Sequence, residues 1–403
     1  MDALLYEWIT LLVRWAHIIT AIAWIGASFY FVWLDMSLEE ISPNKKGLGL
    51  QGELWAIHGG GIYEVQKYKL APPVMPKTLH WFKWEAYSTW LTGTALLVLV
   101  YYGRAQTFLV DDDSFVREPT IAILASIGFL SSGVLGYELI VRRRNLSNQT
   151  LSISVTLWLA FLCWVAFQLF SDRAATIHTG AVIASIMAAN VFLGIIPGQR
   201  ALLAAIASGE AVDPGPPLLA RKRSLHNNYL TLPVVFCMLA NHFAFALGHS
   251  WSWLVVLTLC LSAAYARHFF NLKHSGKIRP SVLVISAATF LLVVAVTTWQ
   301  ITEQKMARAN NFVADKNSLS SVQFQQLLEK HCTTCHAKNP SFPGYAAAPG
   351  GIVFENFESL KAYRQRAITS LVSGYMPLAN LTELKETERA AMIAYLEAVG
   401  GAR

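Results

Sequence analysis

Residues 8–34 read WITLLVRWAHIITAIAWIGASFYFVWL, an apolar run long enough to cross the hydrocarbon core of a bilayer as one helix. Seven further runs of about 20 residues follow it, near residues 84–102, 120–141, 150–170, 177–197, 228–247, 251–270 and 281–300. The chain is 54% hydrophobic and only 14% charged, whereas soluble domains are about 25% charged. The sequence therefore predicts an all-α fold, a polytopic membrane bundle of eight helices.

The positive charges alternate between the connections of this bundle. The first, third, fifth and seventh connections carry Lys45, Lys46, Lys67, Lys69, Lys77, Lys83, Arg142, Arg143, Arg144, Arg200, Arg221, Lys222, Arg223, Arg267, Lys273, Lys277 and Arg279. The second, fourth and sixth hold only Arg104, Arg117 and Arg173. By the positive-inside rule the odd connections are cytoplasmic, which predicts a multi-pass protein of a bacterial inner membrane, surrounded by lipid, with both termini periplasmic. The formal net charge of +7 thus indicates topology and does not predict binding to nucleic acid.

Residues 331–336 read His-Cys-Thr-Thr-Cys-His and contain the CxxCH pattern of covalent haem attachment. Cys332 and Cys335 would bind the haem vinyl groups, and His336 would bind the iron from one side. The alternatives are a zinc site or a disulfide, but zinc would require a second Cys/His pair and the tail has no other cysteine. The motif therefore predicts one covalent haem c.

The sixth iron ligand should follow the motif, and Met376 before Pro377 is the candidate, because a thioether suits the iron of an electron carrier. Met392 lies in an amphipathic pattern and is predicted to fill the core. Helical patterns precede the motif and close the chain, as in a small class I cytochrome c. We expect a membrane domain over residues 1–303, a polar linker over 304–317 and a cytochrome c domain over 318–403.

The first connection, residues 35–83, is far longer than most loops and is predicted to be functional. It contains His58-Gly59-Gly60-Gly61, a tyrosine- and lysine-rich stretch that includes Tyr63, and the run His80-Trp81-Phe82-Lys83-Trp84-Glu85. Glycines permit close approach of a ligand to the backbone. An ordinary surface loop with an interfacial aromatic belt is the alternative.

Ionisable side chains at membrane depth are costly and point to function. His17, His178 and His242 are predicted to lie in the outer half of the bilayer, where a pair of them could bind a haem b. Hydrogen bonds to neighbouring helices are the alternative reading. Glu138 is expected to pair with Arg142 one turn later. Three cysteines lie in apolar runs and predict no disulfide: Cys163, Cys237 and Cys260.

Three segments together resemble the bacterial membrane-bound urate oxidases, or urate hydroxylases, that carry a fused cytochrome c. They are RWAHIITAIAWIG at 14–26, HGGGIYEVQKYKLAPPVMPKTLHWFKWEAYSTWLTG at 58–93, and the CTTCH tail. The first helix also resembles haem-binding membrane proteins of the protoporphyrinogen oxidase and copper-resistance type, in which a histidine occupies the place of His17.

The resemblance implies oxidation of urate to 5-hydroxyisourate, with electrons leaving through the cytochrome to a respiratory acceptor such as a cytochrome oxidase or a soluble cytochrome. A site for the planar urate anion needs a cation, flat walls, hydrogen-bonding groups and a base. The candidates in the long loop are Lys67 and Lys83 as cations, Trp81 and Trp84 as walls, Tyr63 as a hydrogen-bonding group, and His58, His80 or Glu85 as the base.

Two other functions remain open on the sequence. A quinol-oxidising respiratory carrier would explain the helices and haems but leaves the long loop without a role. A non-catalytic anchor or transporter would hold no internal cofactor. If the loop is cytoplasmic and the haem c periplasmic, electrons must cross the membrane, which requires a second cofactor near His80 or His226 or else substrate entry from outside.

Overall fold

The computed structural model describes residues 3–111, 114–143, 146–211, 213–240, 251–314, 319–343 and 345–399. The elements in chain order are α1 (Ala3–Met36), β1 (Leu50–His58), β2 (Gly61–Tyr68), α2 (Trp84–Leu96), α3 (Ala105–Phe108), α4 (Pro119–Val141), α5 (Asn148–Leu169), α6 (Asp172–Asn190), α7 (Ile196–Ser208), α8 (Gly215–Ala240), α9 (Ser252–His274), α10 (Pro280–Ala314), α11 (Ser321–Leu328), α12 (Thr334–His336), α13 (Phe357–Leu360), α14 (Arg364–Val372) and α15 (Glu386–Ala398). We call α1 to α10 the bundle and residues 319–399 the C-terminal unit.

Six helices within the described residues are long and apolar enough to cross a membrane: Leu4–Met36, Pro119–Val141, Asn148–Leu169, Asp172–Ser208, Ser252–His274 and Pro280–Gln300. They are compatible with a multi-pass membrane protein. The predicted run at 84–102 forms α2 and a π-helical continuation, Leu97–Tyr102. The predicted run at 228–247 is only partly described, as the last half of α8, so the full count of eight stays a prediction.

Helix α4 shows why these segments pack as a bundle with an apolar outer surface. Its outward side exposes Leu124 and Leu139, whereas Phe129 and Tyr137 are buried in the main core. An apolar exterior is stable when the surroundings are hydrocarbon, because backbone polar groups are satisfied within each helix. At Gly133 a β-carbon would overlap Val182 of α6, so the small residue permits close helix packing.

The all-α prediction was wrong for the long first connection, which contains a two-stranded antiparallel sheet. Strands β1 and β2 pair from Leu50 opposite Tyr68 to His58 opposite Gly61. Gly59 and Gly60 form the turn with φ of +58° and +80°, the double positive φ of a type I′ hairpin turn. The glycines of this stretch therefore serve the turn geometry.

The hairpin is fixed at the carboxyl end of α1. Asp35 of that helix pairs with Lys67 of β2 and with Arg221 of α8. Lys45, which precedes β1, pairs with Glu53 of β1 and with Glu64 of β2. The hairpin thus lies at one end of α1, and the C-terminal unit approaches the other.

The polar linker predicted for residues 304–317 is helical through Ala314, as a continuation of α10. Residues 304–314 contain alanine, arginine, lysine, methionine and glutamine, which extend an existing helix at little cost. The C-terminal unit then begins with α11, which Ser320 and Gln323 start with a capping box. Its own core includes Phe324 stacked on Tyr395 of the last helix, with ring centroids 4.3 Å apart.

Candidate functional site

A cavity of about 1070 Å³ gathers the residues that the CxxCH motif singled out. Cys332, Cys335, His336 and Met376 all line it. They come from separate parts of the C-terminal unit: a π-helical turn over Glu329–Thr333, the short helix α12, and the segment after α14. The structure therefore brings together the two thiols, the imidazole and the thioether that the sequence predicted as one site.

His336 is oriented with one ring nitrogen free for a ligand. Its Nδ1 donates a hydrogen bond to the Ile352 carbonyl oxygen at 2.9 Å, which places the hydrogen on Nδ1 and leaves Nε2 unprotonated. The ring stacks on Phe354 with centroids 5.1 Å apart. Burial lowers the pKa of His336, so the imidazole is neutral near pH 7, as an iron ligand must be.

Met376 is held by its backbone at the edge of the cavity. Its amide donates to the Ser370 carbonyl oxygen at 3.1 Å, and its carbonyl oxygen accepts from Arg389 at 2.6 Å. Met392 also lines the cavity, but it is buried within the core of the C-terminal unit. The described contacts leave the Met376 thioether as the more accessible ligand of the two.

Both cysteines of the motif are free thiols. Burial raises the pKa of Cys332 to about 12 and also raises the pKa of Cys335. No group of three or more His, Cys, Asp or Glu side chains in the described part of the chain could hold a bare metal ion. A haem iron needs only two axial ligands from the protein, so the donor set fits a covalent haem and not a zinc site.

The bundle closes the other side of this cavity. Tyr6, Glu7, Thr10 and Arg14 of α1 line it together with Arg104 and Arg173. Arg104 stacks over the rings of Tyr6 and Tyr345, 4.0 and 5.3 Å from their centroids. The sequence analysis counted Arg104 and Arg173 only as loop charges, because nothing in the sequence shows that the two ends of the chain meet.

The three histidines predicted at membrane depth have different surroundings. His17 packs against Gly93 of α2, and its Nδ1 donates to the Thr89 carbonyl oxygen at 3.1 Å and to the Thr92 hydroxyl at 3.0 Å. Its Nε2 is left for another partner. His242 lies outside the described residues, so its predicted role has no structural description.

His178 is fully buried, and both of its ring nitrogens are engaged. Nδ1 donates to the Ala174 carbonyl oxygen at 2.7 Å, and Nε2 accepts from Ser126 at 2.6 Å. Phe170 stacks on the ring with centroids 4.3 Å apart. These contacts match the alternative reading, a histidine that hydrogen-bonds a neighbouring helix.

The candidate substrate residues of the hairpin are exposed. His58 stands at the turn, and Tyr63 is 53% exposed. Lys67, predicted as a free cation, pairs with Asp35, and burial lowers the pKa of its ammonium group. None of these three side chains lines the cavity of the CxxCH motif.

The candidates that follow the hairpin lie close to the start of α2. His80 contacts Phe82 edge-on with ring centroids 4.7 Å apart, and the Lys83 ammonium lies 5.7 Å from the centroid of a Trp84 ring. Trp81 packs against a small buried cluster around Ala86. Glu85 has one buried carboxylate oxygen without a hydrogen-bond partner among the described residues.

A polar network that the sequence reading missed occupies the bundle at the same end as the hairpin. Glu138 pairs with Arg142 as expected, but it also binds Arg223, which is fully buried. Asn190 accepts from Arg223 at 3.1 Å and donates to Asn227 at 2.8 Å and to Tyr137 at 3.0 Å. The Tyr137 hydroxyl is in turn hydrogen-bonded to Nδ1 of His226 at 2.7 Å.

A second group beside it has unsatisfied atoms. The Asn228 side-chain oxygen accepts from Arg267 at 3.2 Å and from Asn271 at 2.8 Å. Three buried atoms of the group have no hydrogen-bond partner among the described residues: Asn228 Nδ2, Arg267 Nη2 and Asn271 Oδ1. The Arg267 guanidinium lies 3.9 Å from the centroid of the Phe29 ring. We call Asn228, Arg267 and Asn271 the amide cluster.

These features define the class of protein: a mostly helical chain with membrane-length helices, a polar network at one end of the bundle and, at the other, a cavity lined by the CxxCH residues and Met376. The model of the family described as Urate oxidase N-terminal matches residues 3–298. The chain therefore belongs to this family. No curated protein matches the chain, and no solved structure matches it.

Proposed function

We propose that the protein is a membrane-bound oxidoreductase that converts urate to 5-hydroxyisourate and passes the electrons through a covalent haem c to the respiratory chain. The observation that carries this proposal is the cavity of Cys332, Cys335, His336 and Met376 on a chain whose bundle belongs to the urate oxidase N-terminal family. Urate and water give 5-hydroxyisourate, two protons and two electrons. The acceptor must therefore remove two electrons for each urate.

The C-terminal unit is proposed to act as a class I cytochrome c. Cys332 and Cys335 would form the thioether bonds, while His336 and Met376 would be the axial ligands. A c-type haem accepts one electron at a time, so each urate requires two transfers to an external cytochrome or a cytochrome oxidase. In a bacterial inner membrane the unit would face the periplasm.

The amide cluster is the proposed urate site. Urate is a planar monoanion whose edge alternates carbonyl oxygens with ring N–H groups. The buried Arg267 supplies the positive charge, the free donors are Arg267 Nη2 and Asn228 Nδ2, and the free acceptor is Asn271 Oδ1. Buried polar groups without partners are costly in an empty site and are satisfied by a ligand that hydrogen-bonds them. The Phe29 ring lies 3.9 Å from the Arg267 guanidinium and helps to hold it in position.

The first experiment is an anaerobic visible spectrum of the purified protein before and after addition of urate, with a pyridine haemochrome assay for haem c. Urate-dependent reduction is the expected result. Reduction by a quinol and not by urate would refute the urate reaction and establish the respiratory carrier instead. The absence of any haem from the protein would leave the anchor or transporter reading.

The same assay distinguishes the two candidate urate sites, the amide cluster and the long first connection. Arg267→Gln should abolish urate-dependent reduction while chemical reduction of the haem by dithionite is unchanged, because the cation for urate is lost and the residues proposed to hold the haem are untouched. The matched control is Arg143→Gln, an exposed arginine on the same side. If His58→Ala or His80→Ala abolishes reduction and Arg267→Gln does not, the site lies in the long connection and the amide cluster is structural.

A further inference from the structure

The cavity that gathers the CxxCH motif is shared by the two ends of the chain, and its bundle side is strongly cationic. Arg14, Arg104 and Arg173 line it from the bundle, and Arg366 lines it from the C-terminal unit. Glu7 is the one acidic side chain among the described lining residues. An apolar cavity with this excess of positive charge is suited to a ligand that is apolar over most of its surface and anionic at one edge.

Buried donors without partners point into the same region. Thr10 is only 4% exposed and its hydroxyl has no hydrogen-bond partner among the described residues. The Nε atom of Arg173 is also buried and has no hydrogen-bond partner among the described residues. Its guanidinium is fixed 4.9 Å from the centroid of the Phe108 ring, so its direction is set by packing. Unsatisfied buried donors of this kind need an acceptor to be stable.

We propose that Arg104 and Arg173 of the bundle bind the two propionate carboxylates of the haem c, with the Thr10 hydroxyl as a further donor. Arginine binds carboxylates through two parallel N–H donors, which makes it well suited to this task. The inference rests on the proposed function, because it requires the covalent haem. Its consequence is that the haem joins the C-terminal unit to the bundle, and each side supplies part of the pocket.

Arg104 is already held beside the cavity by Tyr6 and by Glu7, whose carboxylate lies 3.9 Å away. Tyr345 of the C-terminal unit contacts the other side of its guanidinium. Binding of a carboxylate would thus use an arginine whose position is already defined, so little side-chain entropy is lost. Leu378, near Met376 in the chain, also packs against the core of the bundle.

The test uses the full-length protein with Arg104→Gln, Arg173→Gln and the double variant, and Arg117→Gln as a control at an exposed arginine of the same side. Haem c content is measured first, by pyridine haemochrome. It should remain at the wild-type level, because Cys332 and Cys335 still hold the haem. The midpoint potential should fall in the double variant, because nearby cations favour the reduced haem. Arg173→Lys, which keeps the positive charge, should lower the potential less than Arg173→Gln does.

Docking is measured separately, by hydrogen exchange of the backbone at residues 4–14. Loss of the charged hydrogen bonds should raise exchange on the order of tenfold or more in the double variant. The variant Cys332→Ser/Cys335→Ser, which cannot bind haem covalently, should show the same increase. Wild-type potential and wild-type exchange in a double variant with full haem c content would overturn this inference alone. Absence of haem c from the wild-type protein would overturn the proposed function as well.

Discussion

Loss of Arg223 should destabilise the bundle more than any surface ion pair can. Arg223 donates to both carboxylate oxygens of Glu138, once at 2.8 Å and once through a shorter contact, and its side chain is 1% exposed. Substitution by glutamine leaves the Glu138 carboxylate with Arg142, whose side chain is 62% exposed. The carboxylate then lies at the edge of the core without its buried partner.

The expected magnitude follows from these two environments. Removal of one partner of a buried ion pair costs about 3–5 kcal/mol, because the remaining charge stays desolvated. Arg142→Gln removes an exposed pair one helical turn away and should cost about 0.3–0.5 kcal/mol. The double variant Glu138→Gln/Arg223→Gln should lose less than the sum of its single variants, because no buried charge is left unpaired.

The assay is equilibrium unfolding in mixed detergent micelles, with the helical circular dichroism signal followed as the denaturing detergent fraction rises. All variants are compared at the same micelle composition. Equal losses of unfolding free energy for Arg223→Gln and Arg142→Gln would refute the reasoning, because they would mean that water solvates Glu138 and that its pairing with Arg223 adds nothing.

Three further predictions concern separate parts of the chain. Met376→Ala should keep the covalent haem but lower its midpoint potential in a redox titration, because a thioether ligand raises it, whereas Met392→Leu should not. A hydrogen bond from Lys45 lowers the pKa of Glu53 below its ordinary value of 4.5. The ionised Glu53 therefore stabilises the hairpin above pH 4.5, and this stabilisation is lost as the pH falls from 4.5 through the lowered pKa. Hydrogen exchange at 50–58, corrected for its intrinsic pH dependence, should show the loss in the wild-type protein and not in Glu53→Gln. A haem b bound at His17 should appear as a b-type component in the pyridine haemochrome spectrum and be absent from His17→Ala, and its absence from the wild-type protein would refute that role.

The grouping of Cys332, Cys335, His336 and Met376 around one cavity could be predicted from the sequence, because most of these positions are local. Cys332, Cys335 and His336 are fixed by five consecutive positions, and Met376 by its place before proline in a short tail. The bundle side of the cavity could not be predicted. Arg104 and Arg173 lie more than 150 residues from the motif, and the sequence shows them only as two of the few positive charges in the predicted periplasmic connections.

The hairpin was missed although a local signal for it exists. Gly59-Gly60 is a two-residue turn between two short runs, 50–58 and 61–68, which contain strand-favouring residues such as Trp55, Ile57, Ile62 and Val65. The glycines were interpreted as a ligand-binding feature instead. Strand-favouring residues on both sides of the glycine pair would have distinguished a turn from a ligand site.

The polar network and the amide cluster were missed for a different reason. Their members are spaced one turn apart on their own helices, as Arg223 and Asn227 on α8 and Arg267 and Asn271 on α9 show. That spacing is visible in the sequence and places each pair on one face. Tertiary packing decides which helices face each other, so the partners of each pair on the neighbouring helix cannot be predicted from the sequence.

The positions along α1 constrain how electrons would travel between the two proposed sites. The last α1 residue that lines the cavity of the CxxCH motif is Arg14, and Phe29, which contacts Arg267, follows 15 residues later. At 1.5 Å per residue these levels are about 22 Å apart along the helix axis. His17 lies three residues beyond Arg14, about 4.5 Å along the axis on the same scale. The level of His17 therefore lies between those of the two proposed sites and closer to the cavity, and we propose that the predicted haem b at His17 would carry electrons from the amide cluster toward the proposed haem c.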